Sequence, residues 1–175
     1  MNEQEQIGAG SGEILEKIAR MTPQWLAGFF DGDGHVSVCR TVVNPARNMY
    51  LRLKCTFTGT DSGTLSLIAS IYGLRGPYLK KSKKYKHNVY ELGLTGKHCA
   101  TLLRKILPYV VIRRKQVELA LKFDEVMHIG SGCRLTEEQA RQGIEIRWQI
   151  SELNGAGRKL EATDTSQLID KETLS

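Results

Sequence analysis

Cysteine pairs, long apolar runs and, over nearly half the chain, acidic side chains are scarce in this 175-residue sequence. None of the four cysteines, Cys39, Cys55, Cys99 and Cys133, forms a C-x-x-C pair. That argues against a zinc site or a disulfide framework and predicts reduced thiols. No apolar run approaches the roughly 20 residues that cross a bilayer, so no membrane partner is expected. The opening residues Met1-Asn2-Glu3-Gln4-Glu5-Gln6 are polar and acidic, unlike a secretory signal or an arginine-rich transit peptide. The expectation is an intracellular protein, of the cytoplasm or an organelle matrix, and not a secreted one. The shortage of acid says most. Residues 40–117 hold 16 basic side chains and only 2 acidic ones, Asp61 and Glu91. Such a block repels itself unless it meets a polyanion, and nucleic acid is the usual one; a solvated lysine-rich surface is the alternative.

What is present reads as one domain. Residues 1–12 are polar and glycine-rich, a flexible arm, and a single domain spans 13–154. A short amphipathic helix is predicted over about 13–20. Thr22-Pro23 then supplies an N-cap and a proline in the first helical position, opening a helix that runs to about Asp31. From His35 the periodicity becomes alternating: Val36 and Val38, then after Asn44-Pro45 Leu51, Leu53, Cys55 and Phe57, predict an antiparallel pair with one apolar and one basic, polar face. Leu65, Ile68, Ala69 and Tyr72 follow helical spacing, with Gly73 as the stop. A second hairpin is predicted over about 77–82 and 88–94, followed by helices over about 96–107 and 113–127. A last helix opens at the capping box Thr136-Glu137-Glu138-Gln139, with Ile146, Ile150 and Leu153 on one stripe. Residues 155–175 form a mobile polar tail. The order read is α-β-β-α-β-β-α-α, an α+β domain in which four antiparallel strands make one curved sheet with helices on its apolar face.

The densest motif is Leu26-Ala27-Gly28-Phe29-Phe30-Asp31-Gly32-Asp33-Gly34. Small residues inside an apolar helical run allow two helix backbones to approach closely, and the glycines suggest a tight exit with positive φ. A helix C-terminus carries partial negative charge and unpaired carbonyls. Asp33 added there concentrates oxygen ligands suited to a divalent cation.

These nine residues resemble the signature of the LAGLIDADG homing endonucleases, with Phe29-Phe30 in place of the usual aliphatic pair, and the resemblance extends from about Pro23 to Leu153. It implies a saddle-shaped sheet lying in the DNA major groove. It also implies site-specific hydrolysis of one phosphodiester on each strand of double-stranded DNA, no small-molecule substrate, and an intron-encoded role in homing. A non-cleaving nucleic-acid-binding protein or an intron RNA maturase on the same scaffold is the alternative. There is no second signature: Leu168-Ile169-Asp170 copies three letters of it without the glycines. One motif supplies one carboxylate, so the resemblance implies a homodimer packed through Leu26, Ala27, Gly28, Phe29 and Asp31 on a roughly palindromic site.

By the same resemblance Asp33 and the Gly32 carbonyl are the metal ligands, for Mg2+ or another divalent cation, while Asp31 stabilises the helix end or the dimer seam. Asp61 stands near a position where single-motif relatives tend to carry glutamine and a polar residue orders solvent; it equally suits an N-cap for the next helix. Arg113, in Pro108-Tyr109-Val110-Val111-Ile112-Arg113-Arg114-Lys115-Gln116, matches the basic residue brought to the scissile phosphate, with Lys115 second. A guanidinium there stabilises charge rather than moving protons, and the alternative is a contact to the DNA backbone or to capping carbonyls. His35 reads as a base or phosphate contact. Strand alternation nominates Ser37, Cys39, Thr41, Tyr50, Arg52, Lys54, Tyr78, Lys80, Val89 and Glu91 for the groove, Arg52 as a guanine reader and Glu91 as an acceptor for a cytosine amine. Lys81, Lys83, Lys84 and Lys86 suit phosphates.

Overall fold

The computed structural model describes residue 16 and residues 19–44, 47–81, 86–127 and 136–155, with the backbone alone for 41–44 and 47–50. The arm, the tail beyond Gly155, Cys133, Lys83, Lys84 and the side chains of Thr41 and Tyr50 lie outside that description. So does most of the expected helix over 13–20, although Glu16, Ala19 and Arg20 are helical.

Thr22 caps helix α1 (Pro23–Asp33) as expected: it is extended at φ −64°, its hydroxyl accepts from Trp25 N at 3.2 Å, and proline occupies the first turn. The helix buries Leu26, Ala27 and Phe30. It runs two residues further than the glycines suggested. Gly34 leaves it extended at φ −83°, and positive φ among the described glycines is confined to Gly73, Gly96 and Gly155. Glycine at 34 answers a different need. A Cβ there would stand 2.4 Å from the Phe30 ring and 2.5 Å from the Phe30 carbonyl oxygen, because β1 begins at once and folds back over that residue.

Strands β1 (Gly34–Asn44) and β2 (Arg47–Gly59) pair antiparallel with Val36 opposite Cys55 and Ser37 opposite Lys54. That register puts Val36, Val38, Leu53, Cys55 and Phe57 on the buried face. Asp61 caps α2 (Ser62–Ile71), and Gly73, at φ +60°, ends it where expected. The second hairpin is shorter than its alternation promised, β3 being only Tyr78–Leu79 and β4 Tyr90–Thr95, in a sheet of order β1-β2-β4-β3. Three helices follow: α3 (Gly96–Ile106), α4 (Arg114–Met127) and α5 (Glu137–Leu153). The order read from the sequence is thus extended by one helix, the one opened by the Thr136–Gln139 capping box, which forms as expected. Ile146 and Ile150 of its stripe are buried, but Leu153 stays 43% exposed.

The helices share the core with the apolar face of the sheet. The two phenylalanines of the motif divide their work there. Phe30 meets Phe57 edge-on at 5.8 Å, while Phe29 stacks between Trp25 at 5.2 Å and Phe57 at 5.4 Å. Cys39, Cys55 and Cys99 are free thiols, and the hydrogen bond with Cys55, together with burial, pushes the Cys99 thiol up. No helix among the described residues is long and apolar enough to cross a membrane.

Candidate active site and nucleic-acid interface

The helical motif and the sheet meet at one end of the domain. Gly34 is paired with Phe57 and His35 with Thr56, so the ends of α1 and β2 sit side by side. Asp33 is exposed there and makes no hydrogen bond or ion pair among the described residues. Gly32 precedes it, its carbonyl in the last turn of a helix that stops one residue later, where no intrahelical donor remains. This hard-oxygen pair suits Mg2+ or Ca2+. It is incomplete by itself: among the described residues no three His, Cys, Asp or Glu side chains gather to hold a metal. Waters, phosphate oxygens or a second copy of Asp33 would have to complete the shell, and the open, unpartnered carboxylate fits that use.

Asp31 has another task. Its carboxylate accepts from the backbone N–H groups of Val111 (2.8 Å), Ile112 (3.2 Å) and Arg113 (2.9 Å). The Arg113 guanidinium returns a bond to the Asp31 carbonyl at 3.3 Å. Asp31 thus ties the start of α4 to the end of α1 and fixes Arg113 beside the motif, and a place in a dimer seam is not what occupies its oxygens. Leu26 and Ala27 are corrected more firmly. Both are fully buried by their own chain, so they belong to the core and not to a seam, and Phe29 is held in the aromatic stack. On α1 the exposed positions are Gln24, Trp25, Gly28, Gly32 and Asp33, and the open space around the two glycines leaves the backbone bare. Val111 and Ile112, 78% and 77% exposed, flank this surface. They lay inside the quoted basic segment, and their apolar character in a loop was the signal that could have found them.

Asp61 follows the capping alternative, accepting from Gly63 N at 2.9 Å, Thr64 N at 3.4 Å and the Thr64 hydroxyl at 2.6 Å. Lys115 is exposed on the first turn of α4. His35 lies closer to the charges: loss of solvent around its ring first, then the positive charges of Arg113 and Lys54, hold the imidazole below its ordinary range against the pull of Glu91. It is therefore neutral near pH 7, able to donate one N–H and accept at the other nitrogen.

The polar face of the sheet follows the register. Cys39 stands opposite Arg52 and Ser37 opposite Lys54, and Tyr78 faces Glu91. Arg52 is exposed, and Lys81 and Lys86 are exposed beyond β3. Val89 is half-buried, its carbonyl accepting from Lys80 N at 2.7 Å. Ser37 and Cys39 are half-buried neighbours, Oγ to Sγ 3.7 Å.

Glu91 is corrected from groove reader to internal counter-charge. It is only 7% exposed. It accepts from the Tyr78 hydroxyl, from Lys80 Nζ at 3.0 Å and from Lys54 Nζ at 3.5 Å. Burial opposes its ionisation, but the bonds from Tyr78 and Lys80 and the lysine charges outweigh burial and hold the carboxyl below its ordinary range. The bond to Glu91 in turn pushes the Tyr78 hydroxyl up to about 12. Glu91→Gln is expected to cost about 1 kcal/mol, the lysines being partly screened by solvent. Because the folded carboxyl ionises below its unfolded value, its contribution is present above the unfolded value and fades as pH falls through the folded one. The melting difference between wild type and E91Q should therefore shrink in acid.

No protein-family model matches the sequence, and no curated protein does. Solved structures do match. The homing endonuclease I-CvuI, in complex with its target in the presence of calcium, superposes with a TM-score of 0.63 at 22% identity, over 85% of this chain and 92% of that one. The archaeal intron-encoded homing endonuclease I-Vdi141I complexed with DNA gives 0.64 at 15% identity, over 85% and 94%. The LAGLIDADG homing endonuclease I-GzeII in complex with a DNA target gives 0.52 at 13% identity, over 85% of this chain but 49% of that one. At these identities the likeness establishes the fold: helices on one face of a four-stranded antiparallel sheet, as in the LAGLIDADG homing endonucleases.

Proposed function

We propose that this chain is a site-specific, metal-dependent DNA endonuclease, intron-encoded, that acts as a homodimer and hydrolyses one phosphodiester per strand of a long, roughly palindromic site. One observation carries the reading: Asp33 stands open at the end of α1, with no partner among the described residues, beside the basic face of a sheet whose other face is used by the core. A binding module has no use for a lone carboxylate pointed at phosphates. The structural neighbours, complexes of homing endonucleases with DNA, support the same partner, and I-CvuI complexes with calcium and with magnesium support a divalent cation.

A dimer follows from arithmetic and surface. One chain has one such aspartate, two strands require two, and the bare α1 backbone at Gly28 and Gly32 lies beside the exposed Val111 and Ile112. Packing like surfaces about a twofold axis covers them and brings the two Asp33 side chains together. Asp33 and the Gly32 carbonyl would hold a divalent cation, which when bound would supply Lewis acidity at the phosphate. The protein's own groups do the rest. Arg113, fixed by Asp31, places positive charge where phosphate charge develops. The polar sheet face sets register in the groove, with Arg52 free to reach a guanine and Lys81 and Lys86 on phosphates.

The test is a supercoiled plasmid carrying the joined flanks of the reading frame. Linearisation at that sequence with magnesium, lost on chelation, together with a sedimentation mass of twice the protomer, is the expected result. Tight, sequence-dependent binding with no cut under any divalent cation would overturn cleavage in favour of a non-cleaving binder or RNA maturase.

A further inference from the structure

Two residues of the sheet's polar face are buried although that face looks away from the core: Thr56 is 8% exposed and Glu91 7%. The register lays this face out in rows. Thr58, Glu91 and Tyr78 make one row, His35, Thr56 and Gly93 the next, and Ser37, Lys54 and Thr95 a third. Lys54 does not stay in its own row. Its Nζ ends 3.5 Å from Glu91 Oε1, and its Cε lies 3.5 Å from where a Cβ on Gly93 would stand. The side chain therefore crosses the middle row over the bare backbone of Gly93, toward the end of the sheet where Asp33 stands. Glu91 is anchored by Lys80 Nζ at 3.0 Å and by the Tyr78 hydroxyl, so it directs Lys54 rather than following it. Lys54 remains 33% exposed, with no second hydrogen bond among the described residues. An ammonium carries three donors, which leaves Lys54 two for a ligand above the sheet.

We infer that Lys54, aimed across Gly93 by Glu91, is a specificity-determining residue that reads one guanine in each half-site, and that Glu91 is its positioning residue. β2 is an inner strand, flanked by β1 and β4, so the ammonium lies over the middle of the sheet. There a ribbon in the major groove meets base edges, whereas phosphates line the groove's rims. The buried carboxylate also offsets part of the lysine charge, which weakens the pull of a phosphate further. Lysine has donors only, so it suits a base edge that offers acceptors only. Guanine presents N7 and O6 side by side, while adenine sets an amino donor beside its N7. The inference rests on the proposal that the chain binds DNA through this face.

Binding of the full chain in calcium to a labelled duplex of the joined flanks, each base pair of a half-site replaced in turn, tests it. At one guanine the replacement should cost wild type roughly tenfold in affinity, and both Lys54→Met and Glu91→Gln less than about twofold. Penalties at the other positions should stay at their wild-type values, and the double variant should match Lys54→Met alone. Placing 7-deazaguanine, which lacks the N7 acceptor, at that position should weaken wild type and leave E91Q unaffected. A general loosening of the fold would produce neither pattern. If wild type binds no duplex, the DNA-binding reading falls. If wild type binds and E91Q keeps its penalty at every position, the positioning role of Glu91 alone is overturned. If Lys54→Met weakens every sequence equally and flattens the salt dependence, Lys54 is a phosphate contact and the guanine reading is overturned.

Discussion

Asparagine in place of Asp33 is expected to abolish cleavage while leaving sequence-specific binding within a few-fold of wild type. The side chain is exposed and has no partner among the described residues, so its replacement disturbs no bond described in the fold, and Asn is nearly isosteric. What it removes is one negative charge at a helix end, the charge on which a divalent cation depends. Losing metal assistance should lower the rate by roughly a thousandfold or more, about 4 kcal/mol of transition-state stabilisation. Single-turnover cutting in magnesium, beside gel-shift binding in calcium, separates the two effects. Wild-type nicking by D33N would remove the metal assignment; lost binding together with a lowered melting temperature would make Asp33 structural.

Asp31→Ala should do the opposite, harming the fold first and the chemistry through it. Three backbone N–H groups at the start of α4 end on this one carboxylate, and alanine satisfies none of them. Capping losses of this kind cost about 2 kcal/mol, which in a domain of this size lowers the melting temperature by roughly 5–10 °C. Arg113 loses its fixed position in the same step, so the cutting rate of the folded fraction should fall while metal-dependent binding survives. Asp31→Asn, which keeps one acceptor oxygen, should fall between. A D31A protein that melts and cuts like wild type would show that the link between α1 and α4 is incidental.

These variants also mark where the sequence could be read and where it could not. The strand alternation of Val36, Val38, Leu53, Cys55 and Phe57 was legible because a sheet buried on one side repeats every two residues. The caps at Thr22, Asp61 and Thr136 were legible because their partners lie within three residues. Glu91 was misassigned, and the tie from Asp31 to α4 was invisible, for the converse reason. The partners of Asp31 are 80 to 82 residues away, and those of Glu91 lie 11, 13 and 37 residues away. Nothing in local spacing distinguishes a carboxylate that reads DNA from one that neutralises two lysines.

By itself, then, the order of residues determined the periodicities, the caps, the concentration of positive charge on one sheet face and the single oxygen-rich helix end. Tertiary structure decided which members of the motif face inward: Leu26 and Ala27 into the core, Gly34 against Phe30 and Asp31 onto α4, with the Asp33 carboxylate left in solvent. It decided as well that Lys54 ends on Glu91. Local propensity acts over a turn or a strand, whereas exposure and pairing depend on which distant segment arrives to cover each side chain.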